Sequence, residues 1–360
     1  MKVLHLPTPV GGNAWGLAQA ERAIGLDSEV LIKHDTWLHY PADRILFESP
    51  PATRLEKLKT LPLLLEQVQR LSREFDVFHF NFGSTLLDFP SIGLPLAELP
   101  LFSRRGKVFV TYNGCDARQK YPTMARVRQA ACHQADCYNG MCNSGKEDTQ
   151  RQTKIARFAR YARHVFALNP DLLYFLPKNA SFLPYTVSGW QAIQLSDYQP
   201  PDRKFKIVHA PTNRVAKGSA YILAALDRLR QRYGARIEVQ LIEQVPYVQA
   251  LELYSQADLV IDQVLIGWYG AVTVECLKMG KPVMVFIRDE DLHFLPPEMA
   301  RDCRQALINV DSEGIYEKLC ELVENTELLL GYREAGLDYV HRWHDPGYVA
   351  GLTKLRYETD

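Results

Sequence analysis

No stretch of the 360-residue chain approaches the roughly 18 consecutive apolar residues of a membrane-spanning helix, which excludes an integral helical membrane protein. Net charge is missing as well. The 42 Lys and Arg balance 42 Asp and Glu, so nothing overall draws the chain to nucleic acid, and an acidic partner has to be met by a local patch. Internal repeats and low-complexity tracts are lacking, and the seven cysteines are an odd number that does not suit a disulfide framework. The opening Met1-Lys2-Val3-Leu4-His5-Leu6-Pro7 carries one lysine and too short an apolar run for a signal peptide. The expected location is the cytoplasm, with peripheral contact at the inner face of the membrane left open.

What is present is a core-forming composition. Hydrophobic residues make up 47%, and the length favours two domains. In the N-terminal half, strand-like runs at 2–6, 29–32, 77–80, 108–112 and 163–168 alternate with helical patterns. One of these, 54–71, places Leu55, Leu58, Leu61, Leu65, Val68 and Leu71 at helical spacing. The C-terminal half alternates strands at 205–209, 237–242, 259–261 and 283–286 with helices at 217–233, 247–256 and 271–279. This alternation predicts an α/β fold, two doubly wound domains with parallel sheets facing each other across a hinge. Residues 191–204, containing Pro200-Pro201, form the linker. Ligands of such sheets bind beyond the carboxyl ends of the strands, which directs attention to the turns there.

Two turns in the C-terminal half carry chemistry. The run from Ala210 to Gly218 places Arg214 and Lys217, after Asn213, near the start of a helix. Free N–H groups there favour phosphate, and two cations can neutralise a diphosphate. A capped helix with solvated cations explains this loop equally well. In the second turn Gly267 and Gly270 bracket Trp268-Tyr269, and a helix begins with Glu275 on it. Gly270 lets a phosphate approach the N–H groups of Ala271 and Val272, and Glu275 can accept both hydroxyls of a ribose. The plain alternative makes Trp268 and Tyr269 core and Glu275 a surface carboxylate.

In this ordered combination the chain resembles the retaining GT-B glycosyltransferases of family 4, along nearly its whole length. The resemblance implies a GT-B type fold, two Rossmann-like domains with a cleft between them, and a nucleotide-diphosphate sugar as donor. It also implies Lys217 and Arg214 at the diphosphate, Lys217 assisting its departure, and Glu275 on the ribose. The run Val340 to Pro346 is similar to the family's final helix. Residues 336–360 are therefore expected to return toward an N-terminal, acceptor-side domain at 1–195, with the nucleotide-sugar domain at 196–335. Two departures mark a divergent subgroup. The first glutamate of the family's Glu-x7-Glu motif, which touches the donor sugar, falls at Gly267, and the usual arginine position, five residues before the lysine, holds Thr212. Asp262 and the Trp268-Tyr269 pair accompany that replacement, the aromatic pair being expected to stack on part of the donor.

In the N-terminal half, Gly11 and Gly12 follow the first strand, where similar glycosyltransferases border the donor phosphates and the acceptor. Asp116 lies in the strand-end run Thr111 to Arg118 and is expected in the cleft as a catalytic group, with Asn113 in place of a family histidine. His79, ending the preceding strand, reads as hydrogen-bonded structure. Four cysteines, Cys115, Cys132, Cys137 and Cys142, crowd an insertion at 115–145, the last three at Cys-x4-Cys-x4-Cys spacing. Such thiolates can hold a structural zinc, and free or buried thiols are the alternative. Arg151, Lys154, Arg157, Arg160 and Arg163 stripe a helix that reads as a solvated surface or as a contact for an anionic acceptor or lipid. Asp289-x-Asp291 reads as surface charge, and no catalytic metal is expected.

The expected activity is glycosyl transfer from a nucleotide-diphosphate sugar, with retention through an oxocarbenium-like state, to a carbohydrate or lipid-linked acceptor. Two alternatives stay open. One is a sugar-nucleotide epimerase on the same fold. The other is a non-catalytic sugar-nucleotide-binding scaffold, toward which Gly267 and Asn113 lean.

Overall fold

The computed structural model describes residues 1–51, 53–89, 95–197 and 204–360, so residues 198–203 of the expected linker lie outside the described residues. The chain divides into two compact units. The first comprises residues 1–118, 149–188 and 346–360, and the second residues 119–148 and 189–345. Along the chain run β1 (Lys2–Leu6), α1 (Asn13–Ala23), β2 (Asp27–His34), β3 (Arg44–Phe47), α2 (Arg54–Glu74), β4 (Val77–Asn81) and α3 (Leu99–Arg105). Next come β5 (Lys107–Tyr112), α4 (Lys120–Arg126), α5 (Lys146–Tyr161), β6 (His164–Ala167) and β7 (Ser181–Phe182). The second half continues with β8 (Phe205–His209), α6 (Arg214–Lys217), α7 (Ser219–Tyr233), β9 (Ile237–Leu241), α8 (Tyr247–Ser255) and β10 (Leu259–Ile261). It ends with α9 (Ala271–Lys278), β11 (Val283–Val285), α10 (Pro297–Ala306), β12 (Ile308–Asn309), α11 (Ile315–Glu324), α12 (Leu328–Trp343) and α13 (Pro346–Thr359).

Among the described residues, the first unit holds a seven-stranded sheet in the order β3-β2-β1-β4-β5-β6-β7, each neighbouring pair parallel. Parallel strands covered on both faces bury consecutive residues, and β4 is buried along its whole length. Leu4, Leu6, Phe78, Phe80, Phe102, Val110 and Phe158 lie in one core on this sheet. Residues 346–360 group with this unit, where Thr353 and Tyr357 of α13 donate to buried Glu21 of α1 at 3.0 and 2.9 Å.

The second unit's sheet is five-stranded among the described residues, again all parallel, in the order β12-β11-β10-β8-β9. Chain direction across it reverses between β8 and β10, the position where open α/β sheets bind ligands. His209 pairs with Ile261 in register, so the two turns singled out above leave the sheet side by side. Residues 119–148, expected in the first domain, group instead with this unit. Backbone and side-chain bonds hold them there: Ala131 N donates to Leu265 O at 3.1 Å and Gln129 Nε2 to Val264 O at 2.7 Å. Both units are doubly wound, and no helix among the described residues is long and apolar enough to cross a membrane.

Candidate functional site

The switch point of the second sheet gathers the residues with the most chemistry. After β8, Asn213 caps α6 by accepting from Ala216 N at 2.9 Å. Gly218 then turns the chain with φ +75°, and a Cβ there would lie 2.6 Å from Val264 Cγ2. The tight turn brings the Lys217 ammonium onto the Asp262 carboxylate at the end of β10. Asp262 is 2% exposed, and its Oδ2 accepts from Gly270 N and Thr273 Oγ1, both at 2.8 Å. One carboxylate thus ties together the loop after β8, the end of β10 and the start of α9. Burial opposes its charge, but Lys217 and these donors outweigh burial and hold its pKa below the usual range. His209 braces the same strands, bonding Ile261 O and Ser219 Oγ at 2.8 Å each, and burial lowers its pKa to about 4.

Gly270 lies beside the ammonium: a Cβ on it would sit in ordinary contact, 3.4 Å from Lys217 Nζ. Gly270 N–H is engaged by Asp262, whereas Ala271 and Val272 occupy the first turn, where N–H groups have no partner within the helix. An ammonium with three donors beside a helix N-terminus suits a diphosphate. Further along α9, Glu275 is 3% exposed, and its Oε1 has no hydrogen-bond partner among the described residues. Burial raises its pKa to about 7, the Tyr247 hydroxyl bonded to it works in the opposite direction, and the charge of Asp262 adds to the rise. A buried acceptor left unmatched costs about 1–3 kcal/mol, and a ligand with two hydroxyls removes that cost.

Other expected members of this site stand elsewhere in the second unit. The Arg214 side chain is 55% exposed and forms a two-pronged pair with Glu243, at 2.7 and 2.5 Å. Trp268 and Tyr269 are core rather than a platform for the donor. Each is 1% exposed, their rings stack on each other at 4.2 Å, and the Tyr269 hydroxyl bonds Tyr339 at 2.6 Å and His344 at 2.8 Å. At Gly267, with φ +86°, a Cβ would fall 2.4 Å from Arg288 Nη1. The buried Arg288 guanidinium bonds Asp291 Oδ2 at 3.0 Å and Gln129 O at 2.9 Å. Asp291 also pairs with Arg126 at 2.6 Å and is fully buried. The surface reading of Asp289-x-Asp291 is therefore corrected for Asp291, because Arg288 three residues before it and the distant Arg126 enclose it.

The first unit places its expected residues at the ends of β1 and β5. Gly11 and Gly12 have φ of +66° and +65°, with open space around a Cβ at Gly11 and the Tyr40 ring 2.7 Å from one at Gly12. Asp116 is half-buried and turned onto its own loop, accepting from Asn113 N at 3.1 Å and Gly114 N at 2.6 Å. Burial raises its pKa to about 6, near the range where a carboxyl exchanges a proton at neutral pH. Arg118 is committed to buried Asp171, at 2.6 and 2.9 Å. His79 bonds Tyr357 and Thr111 at 2.5 and 2.6 Å, and burial pushes its pKa well down. On α5, Arg151 is buried, Lys154 pairs with Asp88, and Arg157 donates to Leu96 O at 3.2 Å, which turns much of the basic stripe inward.

The candidate zinc site is not supported: among the described residues, its cysteines do not converge as a ligand set. Cys115 belongs to the first unit, Cys132 to one short 3-10 turn of the second, and Cys137 and Cys142 to another, which kinks through left-handed Tyr138, Asn139 and Gly140. All four are half-buried and none forms a disulfide. Among the described residues, the side chains whose ligand atoms converge within 4.8 Å are His5, Glu21 and His79. There Glu21 is already filled, accepting from His5 at 2.8 Å, Ser28 at 2.7 Å, Thr353 and Tyr357.

Three contributors escaped the sequence reading. The sequence marks Asp262 only as accompanying the replaced glutamate, although an acid directly after a strand and opposite a lysine loop is the signal for its bond to Lys217. Tyr247 and Arg288 carried no local signal, since their partners Glu275 and Gly267 are distant in sequence.

No family model matches the chain, and no curated protein matches it. Solved structures do. Anabaena HepE in complex with UDP-glucose matches with a TM-score of 0.62 at 13% identity, over 100% of both chains. Sucrose-phosphate synthase from Thermosynechococcus elongatus matches at 0.59 and 15%, over 99% of this chain and 98% of that one. UDP-GlcNAc 2-epimerase from Neisseria meningitidis bound to UDP-GlcNAc matches at 0.56 and 15%, over 100% of both. At these identities the likeness establishes the fold, which is of the GT-B type.

Proposed function

We propose that the protein is a glycosyltransferase that binds a nucleotide-diphosphate sugar at the switch point of its second unit. The observation that carries this reading is the convergence of Lys217, Asp262 and Gly270 at the start of α9, with buried Glu275 on the same helix. Lys217 and the first-turn N–H groups receive the diphosphate and stabilise its charge as the nucleotide departs. Glu275, when ionised, accepts the two ribose hydroxyls. Transfer with retention, through an oxocarbenium-like state, rests on the family resemblance. Asp116 and the Gly11-Gly12 loop are the proposed acceptor-side groups, with a carbohydrate or lipid-linked alcohol as acceptor.

Two neighbouring structures hold UDP-glucose and UDP-GlcNAc, which supports a uridine nucleotide. The second of those is an epimerase, which keeps epimerisation as the rival activity. Incubation with UDP-glucose or UDP-GlcNAc, with and without carbohydrate acceptors, separates the readings. Release of UDP that requires an acceptor identifies a transferase. Isomerisation of the sugar without an acceptor identifies an epimerase, and tight binding without turnover a scaffold.

A further inference from the structure

We infer that Tyr247 is a positioning residue for the nucleotide site, aiming its hydroxyl hydrogen at Glu275 so that the carboxylate presents its other oxygen, ionised, to a ribose diol. The inference rests on the nucleotide-site reading above and adds to it a residue on a separate element, α8.

The geometry begins with the Gly189 N–H, which donates to the Tyr247 hydroxyl oxygen at 3.0 Å. A hydroxyl has a single hydrogen. With its oxygen engaged as an acceptor, that hydrogen is directed to its remaining partner, the Glu275 carboxylate. Only a glycine admits this arrangement: a Cβ on residue 189 would lie 2.6 Å from the Tyr247 oxygen. Tyr247 is itself buried, so water does not compete for the bond. The bond engages one carboxylate oxygen and leaves Oε1 without a partner among the described residues. A ribose diol needs such an acceptor.

Charge decides how much the tyrosine contributes. Burial raises the Glu275 pKa to about 7, the Tyr247 hydrogen bond lowers it, and Asp262 at the end of β10 raises it. Lys217 offsets Asp262 by pairing with it. On its own helix Glu275 is followed by the buried thiol of Cys276, held protonated by burial. From α12, Arg333 is directed to Gly280 O and Ser196 O, at 2.7 and 2.6 Å. Tyr247 is therefore the neighbour whose hydrogen bond favours the ionised carboxylate. A raised acid pKa means that the binding-competent form is lost as pH falls through about 7. Removing the tyrosine hydroxyl moves that loss to higher pH.

The test compares the whole protein with Tyr247→Phe and Glu275→Gln, with Gly189→Ala as a second route that displaces the hydroxyl while keeping it. Carbon-13 carboxyl NMR of the unliganded protein follows Glu275, assigned by its disappearance in Glu275→Gln. Calorimetry with UDP-glucose, whose diphosphate diester does not titrate near neutrality, follows binding from pH 6 to 9. The expected result is a rise of about half to one pH unit in the Glu275 midpoint for both Tyr247→Phe and Gly189→Ala. UDP-glucose affinity then falls about 3- to 10-fold at pH 6.5 and less than about 2-fold at pH 8.5, with no such pH dependence in Glu275→Gln. An unmoved Glu275 midpoint overturns the inference. A moved midpoint with an unmoved affinity profile also overturns it, while leaving the nucleotide site standing. A moved midpoint in a protein that binds no sugar nucleotide at any pH overturns the nucleotide reading and the ribose role together.

Discussion

At position 267 the backbone has φ +86°, and the Arg288 guanidinium stands 2.4 Å from the place of a Cβ. A glutamate cannot simply be put back there. Gly267→Glu would force both a left-handed side-chain-bearing residue and the displacement of a buried cation that holds Asp291. We expect a loss of roughly 2–4 kcal/mol in urea unfolding, from backbone strain and overpacking together, and an unchanged midpoint would contradict this account of the site. Lys217 and Glu275 stand out in the sequence because a lysine in a turn after a strand suits phosphate and a glutamate on the next turn's helix suits ribose. Asp262 was not legible as the hub, because its bond to Lys217 spans 45 residues and depends on β8 pairing with β10. Trp268 and Tyr269 were misread for a similar reason. Two aromatics between glycines look presented to a ligand, yet the Tyr269 partners Tyr339 and His344 are 70 and 75 residues further along.

At the scale of elements, the long runs were readable from periodicity and the short edge strands were not. β3 has four residues, and β7 and β12 have two each, too few for alternation to register. The placement of α13 depends on chemistry rather than on pattern. Tyr357 donates to Glu21 at 2.9 Å and bonds His79 at 2.5 Å, both fully buried. Tyr357→Phe removes the hydroxyl from both partners and leaves Glu21 and His79 each short of one. The expected cost is about 1–3 kcal/mol to the unfolding transition that α13 shares with the first unit. Loss of stability below about 0.5 kcal/mol would show that the network is incidental to how α13 docks.

For the whole molecule, strand–helix alternation was sufficient to recover two doubly wound units, because parallel sheets need covering helices between strands. It did not reveal that residues 119–148 group with the second unit. That placement depends on bonds such as Ala131 to Leu265 and Arg126 to Asp291, whose partners no local pattern identifies. The cysteine spacing in the same stretch does not become a ligand set, since the sulfurs of Cys132, Cys137 and Cys142 do not all lie within 4.8 Å of one another. The central claim is that the second unit binds a nucleotide-diphosphate sugar through Lys217 and Glu275. Calorimetric titration of the protein with UDP, GDP, ADP and their glucose conjugates, beside Lys217→Ala and Glu275→Ala, tests it most directly. The account predicts selective binding of one nucleotide, weakened about 10-fold or more in each variant, a loss of at least about 1.4 kcal/mol. Binding of equal strength in the parent and both variants, or none in the folded parent, would contradict it.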